Sequence, residues 1–163
     1  MTFTNKSEVK IIPSIYIVLV AVFVTNLFVN IEIMASDSEQ EITFSHFLPN
    51  IATLLLGLYV HRIGQAFDFD SDGETLNFKN NGVFLSKFME YRVKKAEFPK
   101  RKLGKFKFYD VGIYSALTIY INSRRKKGYR KYTFNTTFLN RKKKRGLVDS
   151  LNKVLENTPK VTA

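Results

Sequence analysis

The stretch Ile11–Met34, IIPSIYIVLVAVFVTNLFVNIEIM, decides how the rest of the chain is read. From Ile15 to Val29 it runs fifteen residues without a charge, and only Thr25 and Asn26 are strongly polar. A helix rises about 1.5 Å per residue, so about 20 such residues cover a hydrocarbon core about 30 Å thick. A helix in the core of a water-soluble domain normally keeps a polar face, and this one has none. The run therefore predicts a transmembrane helix over residues 11–34. A cleaved signal peptide is the competing reading. The run exceeds an h-region of about 7–15 residues, and the small pair Ala35-Ser36 lacks small residues two places earlier, where Ile33 and Met34 stand.

Working outward, residues 1–10 read as a short polar tail, and residues 35–46 (ASDSEQEITFSH) as an acidic loop without Lys or Arg. A second apolar stretch, FLPNIATLLLGLYV, starts at Phe47 and extends to Phe67 if Arg62 snorkels toward headgroups. Residues 47–67 predict a second transmembrane helix, with a re-entrant or interfacial helix as the alternative. Lys6, Lys10 and Arg62 flank the two stretches and the loop between them has no basic residue. The positive-inside rule then puts both termini in the cytoplasm and the acidic loop outside, a helical hairpin in the inner (plasma) membrane.

Charge is unevenly divided. Residues 1–60 hold Lys6 and Lys10 against five carboxylates, whereas residues 61–163 hold 24 basic and nine acidic residues of a chain with net charge +12. That excess draws polyanions: anionic headgroups, nucleic acid or an acidic protein. The absence of cysteine excludes disulfides, thiolate catalysis and cysteine-ligated metals.

From Phe67 the pattern changes to period-two alternation. Phe67 and Phe69, Leu76 and Phe78, Phe106 and Phe108, Leu117 with Ile119 and Ile121, and Tyr132 with Phe134 each mark one face of a strand. Asn80-Asn81-Gly82 reads as a hairpin turn, since those residues accept positive φ. Val83 and Leu85, then Tyr91 and Val93, continue the strands, and Pro99 with Lys100–Lys102 breaks the pattern. About seven short antiparallel strands result over residues 68–157, closed by a helix. There Leu147, Val148, Leu151, Val154 and Leu155 form one apolar stripe, Asn140 is the N-cap and Pro159 helps to end the helix ahead of a tail at 158–163.

The segments FDFDSDGETLNFKNNG (67–82), LTIYINS (117–123) and FNTTFLNRKKKRGLVDSLNKVLE (134–156), following two apolar stretches, resemble small bacterial membrane proteins with a pleckstrin-homology-like domain. The resemblance implies a membrane α-helical hairpin plus an α+β domain. That domain is an antiparallel β sandwich or barrel whose C-terminal helix caps one corner through Leu147, Leu151 and Leu155. It also implies a binding or scaffolding module rather than an enzyme.

Candidate chemistry is sparse. Asp68-Phe69-Asp70-Ser71-Asp72-Gly73 imitates the start of a calcium loop, but Lys79 stands where the bidentate Glu belongs, so a β-turn is the expectation. His46 and His61 are separated by about 22 Å of helix and cannot share a metal or cofactor. No catalytic triad, paired carboxylates or phosphate loop can be assembled, so no catalytic residue, metal site or cofactor is expected. Asn26 and Asn30 share a helix face and are candidates for helix–helix contact, within the hairpin, in an oligomer or with a membrane protein partner. The basic clusters are the remaining signal: Lys94-Lys95, Lys100–Lys102, Arg141–Arg145, and above all Arg124, Arg125, Lys126, Lys127, Arg130 and Lys131. These last six are the candidate anion or headgroup contacts of a membrane-anchored module. Tyr129 and Tyr132 beside them suit either headgroups or stacking on bases, which keeps a membrane-tethered nucleic-acid-binding protein and an accessory subunit of a membrane complex as alternatives.

Overall fold

Two helices, Ile12–Ala35 and Leu48–Ile63, stand between the parts of a β unit made from both sides of them. The computed structural model describes residues 1–35, 44–83, 93–122 and 128–157. They divide into two compact units, one of Ile11–Arg62 and one of Met1–Lys10 with Ile63–Ala163.

In the helical unit, α1 (Ile12–Ala35) and α2 (Leu48–Ile63) each carry a proline in the first turn, Pro13 and Pro49, where no intrahelical donor is lost. With the 3-10 turn before it, the first helix runs Glu8–Ala35. Among the described residues it is the one helix long and apolar enough to cross a membrane. The expected helix over 47–67 stops instead at Ile63. Its 16 residues reach about 24 Å. The shortfall has a local cause: Gln65–Asp70 form strand β2, and Phe67 is fully buried in the β unit. Side-chain hydrogen bonds link separate segments of the helical unit. The Tyr16 hydroxyl meets His61 Nδ1 at 3.2 Å, and Asn30 Nδ2 donates to the His46 carbonyl at 3.2 Å.

The β unit contains two antiparallel sheets. The first has the order β1-β2-β3-β4, from β1 (Thr2–Thr4), β2, β3 (Thr75–Gly82) and β4 (Lys94–Pro99). The second has the order β5-β6-β7, from β5 (Leu103–Asp110), β6 (Ser115–Asn122) and β7 (Tyr129–Asn135). Helix α3 (Arg141–Glu156) follows, giving an α+β arrangement. Alternation sends Phe67, Phe69, Leu76, Phe78 and Phe98 of one sheet, and Leu117, Ile119 and Phe134 of the other, into one core. Phe78 lies at its centre, with ring centroids 5.0 Å from Phe69, 5.9 Å from Phe98 and 5.4 Å from Phe134. Leu147, Leu151 and Val154 of α3 are buried in this core and Leu155 packs against it. Asn140 caps α3 as its position in the sequence suggests, accepting from the Lys143 amide at 2.9 Å. Among the described residues the two sheets are separate hydrogen-bonded sets, so the barrel alternative is not realised.

Two local readings change. Asn80-Asn81-Gly82 is not a turn: β3 runs through it, paired with Phe67, Ala66 and Gln65. Asn80 is buried and its amide donates to Gln65 Oε1 at 2.8 Å and to the Asn135 carbonyl at 3.2 Å, which holds the ladder closed where a turn would open it. The β2–β3 turn is Ser71–Glu74, with Gly73 at φ 68°. The strands expected around Leu85 and Tyr91, and Pro159 with the tail 158–163, lie outside the described residues, as does most of the loop 35–46.

The second change is the N-terminal tail, which supplies a strand. In β1, Thr2, Phe3 and Thr4 pair with Asp70, Phe69 and Asp68. The Phe3 ring stacks on Phe69 at 6.0 Å and reaches α3 at Gly146, where an added Cβ would lie 2.8 Å from Phe3 Cζ. Lys143 Nζ fastens the same join, donating to the Thr4 carbonyl at 2.7 Å and to Glu8 Oε1 at 2.6 Å.

Replacing a helical glycine by alanine ordinarily gains about 0.5–1 kcal/mol. Gly146→Ala is expected to reverse that sign, lowering stability by about 1 kcal/mol through overpacking against Phe3. Thermal unfolding of the full chain in detergent measures it, and adding Phe3→Leu should recover most of the loss.

Candidate functional site

The second sheet has two chemically different faces because its strands alternate, with one register shift between Leu103 and Lys105. Register places Lys105 opposite Tyr120 and Tyr120 opposite Lys131, then Lys107 opposite Thr118 and Thr118 opposite Thr133, with Tyr109 opposite Ala116. The face away from the core thus presents Lys105, Lys107, Tyr109, Tyr120, Tyr129 and Lys131, with no carboxylate among them. Lys105 Nζ lies 4.8 Å from the Tyr120 ring centre and 5.4 Å from that of Tyr129. These are cation–π distances, and the two rings meet edge to face at 6.4 Å. Gly104, at the bulge between Leu103 and Lys105, makes room for this group: a Cβ there would overlap Tyr129 Cε1.

This face runs out to the β5–β6 tip. Gly112 at φ 80° closes the turn, the Val111 amide donates to the Tyr114 carbonyl at 3.0 Å, and the Gly112 amide donates to Asp110 Oδ1 at 3.3 Å. Asp110 Oδ2 accepts from Lys144 Nζ on α3 at 3.1 Å. Tyr109, Val111 and Ile113 are 58%, 50% and 73% exposed. Between the tip and the first turns of α3 lies a cleft of about 690 Å³, lined by Arg141, Lys144 and Arg145 together with Asp110 and Asp149. Burial pushes the Asp110 carboxyl up, but the Lys144 ammonium and the Gly112 amide outweigh it and hold the group below its ordinary value.

A second cavity, of about 850 Å³, lies between the β2–β3 turn, the 3-10 turn Lys100–Lys102 and the far half of α3. It mixes Lys100, Arg101 and Lys153 with Glu74 and Asp149, so it has no single charge preference.

The residues expected from the sequence are distributed as follows. Arg124, Arg125, Lys126 and Lys127 lie outside the described residues. Lys131 belongs to the Lys/Tyr face, whereas its neighbour Arg130 pairs with Ile121 and takes the opposite parity. Tyr129 is on that face, but Tyr132 packs against the core, because three residues along a strand reverse the side. Asn26 donates to the Val22 carbonyl of its own helix at 3.0 Å, while Asn30 reaches the turn before α2. The carboxylates of the calcium-like segment are engaged along β1. Asp68 Oδ1 accepts from Thr4 at 2.6 Å, Asp68 Oδ2 is paired with Lys6 at 3.1 Å, Asp70 accepts from Thr2 at 3.2 Å, and Asp72 meets the Met1 amino group. Among the described residues no three His, Cys, Asp or Glu side chains gather in metal-binding geometry. Sequence reading missed Lys105, Lys107, Tyr109, Val111 and Ile113. The alternation that turns Phe106 and Phe108 inward already assigns Lys105, Lys107 and Tyr109 outward. Comparisons with protein-family models, with curated proteins and with solved structures each found no match to this chain.

A carboxyl held low in the folded state stabilises it above the unfolded value, and that stabilisation is lost as pH falls through the folded value. The Gly112 amide resonance is therefore expected to titrate with a midpoint below that of an ordinary aspartate. Lys144→Met should move that midpoint upward. A midpoint that Lys144→Met leaves in place would remove the ion pair from the support of the tip.

Proposed function

We propose that this chain is a membrane-anchored, non-catalytic binding module. Its basic β unit, pleckstrin-homology-like in its two antiparallel sheets and capping helix, contacts anionic lipid headgroups at the cytoplasmic face of the inner membrane. The observation that carries the reading is the pairing of β1 with β2. Residues 2–4 and 68–70 share one sheet, so a segment 11–62 that enters a bilayer leaves it on the side where it entered. If α1 crosses, the chain crosses back before Gln65, and the apolar stretch available is the 3-10 turn Phe44–His46 with α2. Lys6, Lys10 and Arg62 favour the cytoplasm for that side. Each Lys or Arg near an anionic leaflet contributes about 1 kcal/mol, so Lys105, Lys107 and Lys131 on one carboxylate-free face form a substantial attraction.

The same face favours one other reading. Exposed Tyr129 beside Lys105 and Lys131 on an open sheet suits stacked single-stranded nucleic acid held by its phosphates.

One experiment separates the two. The full chain, reconstituted in phosphatidylcholine vesicles, is expected to capture free anionic vesicles and not neutral ones. Capture should weaken steeply with added salt, and a single-stranded oligonucleotide should fail to displace it. Displacement at low oligonucleotide concentration would transfer the function to nucleic acid, and capture of neither polyanion would reject both.

A further inference from the structure

We propose that the β5–β6 tip is a bilayer-inserting element, with Val111 and Ile113 entering the headgroup–acyl boundary of an anionic leaflet and Lys107, Arg141 and Arg145 contacting its phosphates. The inference rests on the membrane-module reading and names the element that makes the contact.

The first support is where apolar exposure falls. Among the described residues of the β unit, the exposed large apolar side chains are Met1, Val93, Tyr129 and the tip trio Tyr109, Val111 and Ile113. Three of six are thus gathered at one hairpin end, Val111 and Ile113 in the four-residue connection and Tyr109 near the end of β5. Turn chemistry does not require them there. The tip is closed by Gly112 and by Asp110 accepting the Gly112 amide, and branched apolar residues are otherwise disfavoured in turns. The side chains at 111 and 113 are nonetheless apolar and exposed.

The second support is the collar. Arg141 and Arg145, one turn apart on α3, line the cleft behind the tip, and Lys107 stands on β5 just before it. Asp110 is engaged by Lys144, which leaves Asp149 as the other carboxylate of that cleft. Positive charge in the first turns of a helix is opposed by the helix dipole, so Arg141 and Arg145 gain from an external anion. An apolar tip ringed by cations matches a bilayer surface, apolar beneath and anionic at phosphate level, better than it matches a purely apolar protein groove. The Asp110 bonds and the salt bridge hold the turn in shape before contact, so little ordering is needed on insertion. Tethering through residues 11–62 supplies a high effective concentration of bilayer.

The chain has no cysteine, so single labelled sites are clean. The test uses the full chain in vesicles, with an environment-sensitive fluorophore at Ile113→Cys, at Val20→Cys in α1, or at Glu97→Cys on β4, read by emission wavelength and by quenching from nitroxide lipids. The Val20 label should be blue-shifted and quenched in every vesicle. The Ile113 label should be blue-shifted and quenched in anionic vesicles only, and should return to aqueous emission when Arg141→Glu and Arg145→Glu are added. The Glu97 label should remain aqueous throughout. An aqueous Ile113 label beside a quenched Val20 label overturns the inference while the anchor stands. An Ile113 label that is blue-shifted yet unquenched by lipid means that protein, such as a second copy, covers the tip, and also overturns it. Two unquenched labels reject the anchor and the tip together.

Discussion

The pairing of β1 with β2 is the constraint on which the rest of this molecule depends. Thr4 and Asp68 are sequence-distant residues held side by side, and Asn5 seals the join. Its side chain is fully buried, accepting from the Phe67 amide at 2.6 Å and donating to the Gln65 carbonyl at 3.3 Å. A buried amide costs heavily if unsatisfied, and here both of its ends are used. Everything from Lys6 to Gly64 becomes one long excursion from a single sheet edge. The entropy of closing such a loop grows only slowly with its length, so a helical segment of this size can be inserted there without unfolding the sheet.

The join also explains why α3 looks as it does. A helix whose purpose was only to cover a sheet would have little use for glycine at its centre. Gly146 lets the Phe3 ring approach, and Lys143, one turn earlier, binds the carbonyl and carboxylate that follow β1. The basic run Arg141–Arg145 is therefore divided by task. Lys143 and Lys144 are spent inside the unit, on Glu8 and Asp110, while Arg141 and Arg145 line the cleft behind the tip. Charge counted along the sequence overstates what is available to a partner, and the fold decides which part remains.

Alternation along β5 links packing to surface chemistry. Phe106 and Phe108 join the core, and the residues between them carry the ammonium groups outward. Because neighbouring strands keep register, Lys105, Tyr120 and Lys131 become one row although they are far apart in sequence. The inward faces at Phe67, Phe69, Leu76, Phe78, Leu117, Ile119 and Phe134 and the capping helix were legible, since each rests on a local period, whereas β1 and the inward Ala96 and Phe98 of β4 were not. The Lys/Tyr row was half legible: its parity could be read within a strand, but not which strands would stand side by side. The contrast between Tyr129 and Tyr132 shows the limit, since an apparent pair of aromatic contacts was split by the pleat.

What the amino-acid sequence determined by itself was therefore local. It specified an apolar helix near the N-terminus, a basic α+β region after it, the apolar stripe of α3 and its Asn140 cap, because hydropathy, periodicity and capping act over a few residues. Only the tertiary structure decided that Thr2–Thr4 complete the sheet, that α2 yields Gln65 and Phe67 to β2, and that Asn80-Asn81-Gly82 stays in a strand. Those outcomes depend on distant partners, on Phe69 for Phe3, on the shared core for Phe67, and on Gln65 and Asn135 for Asn80. A residue's own propensity is outweighed when such a partner removes it from water or satisfies its hydrogen bonds.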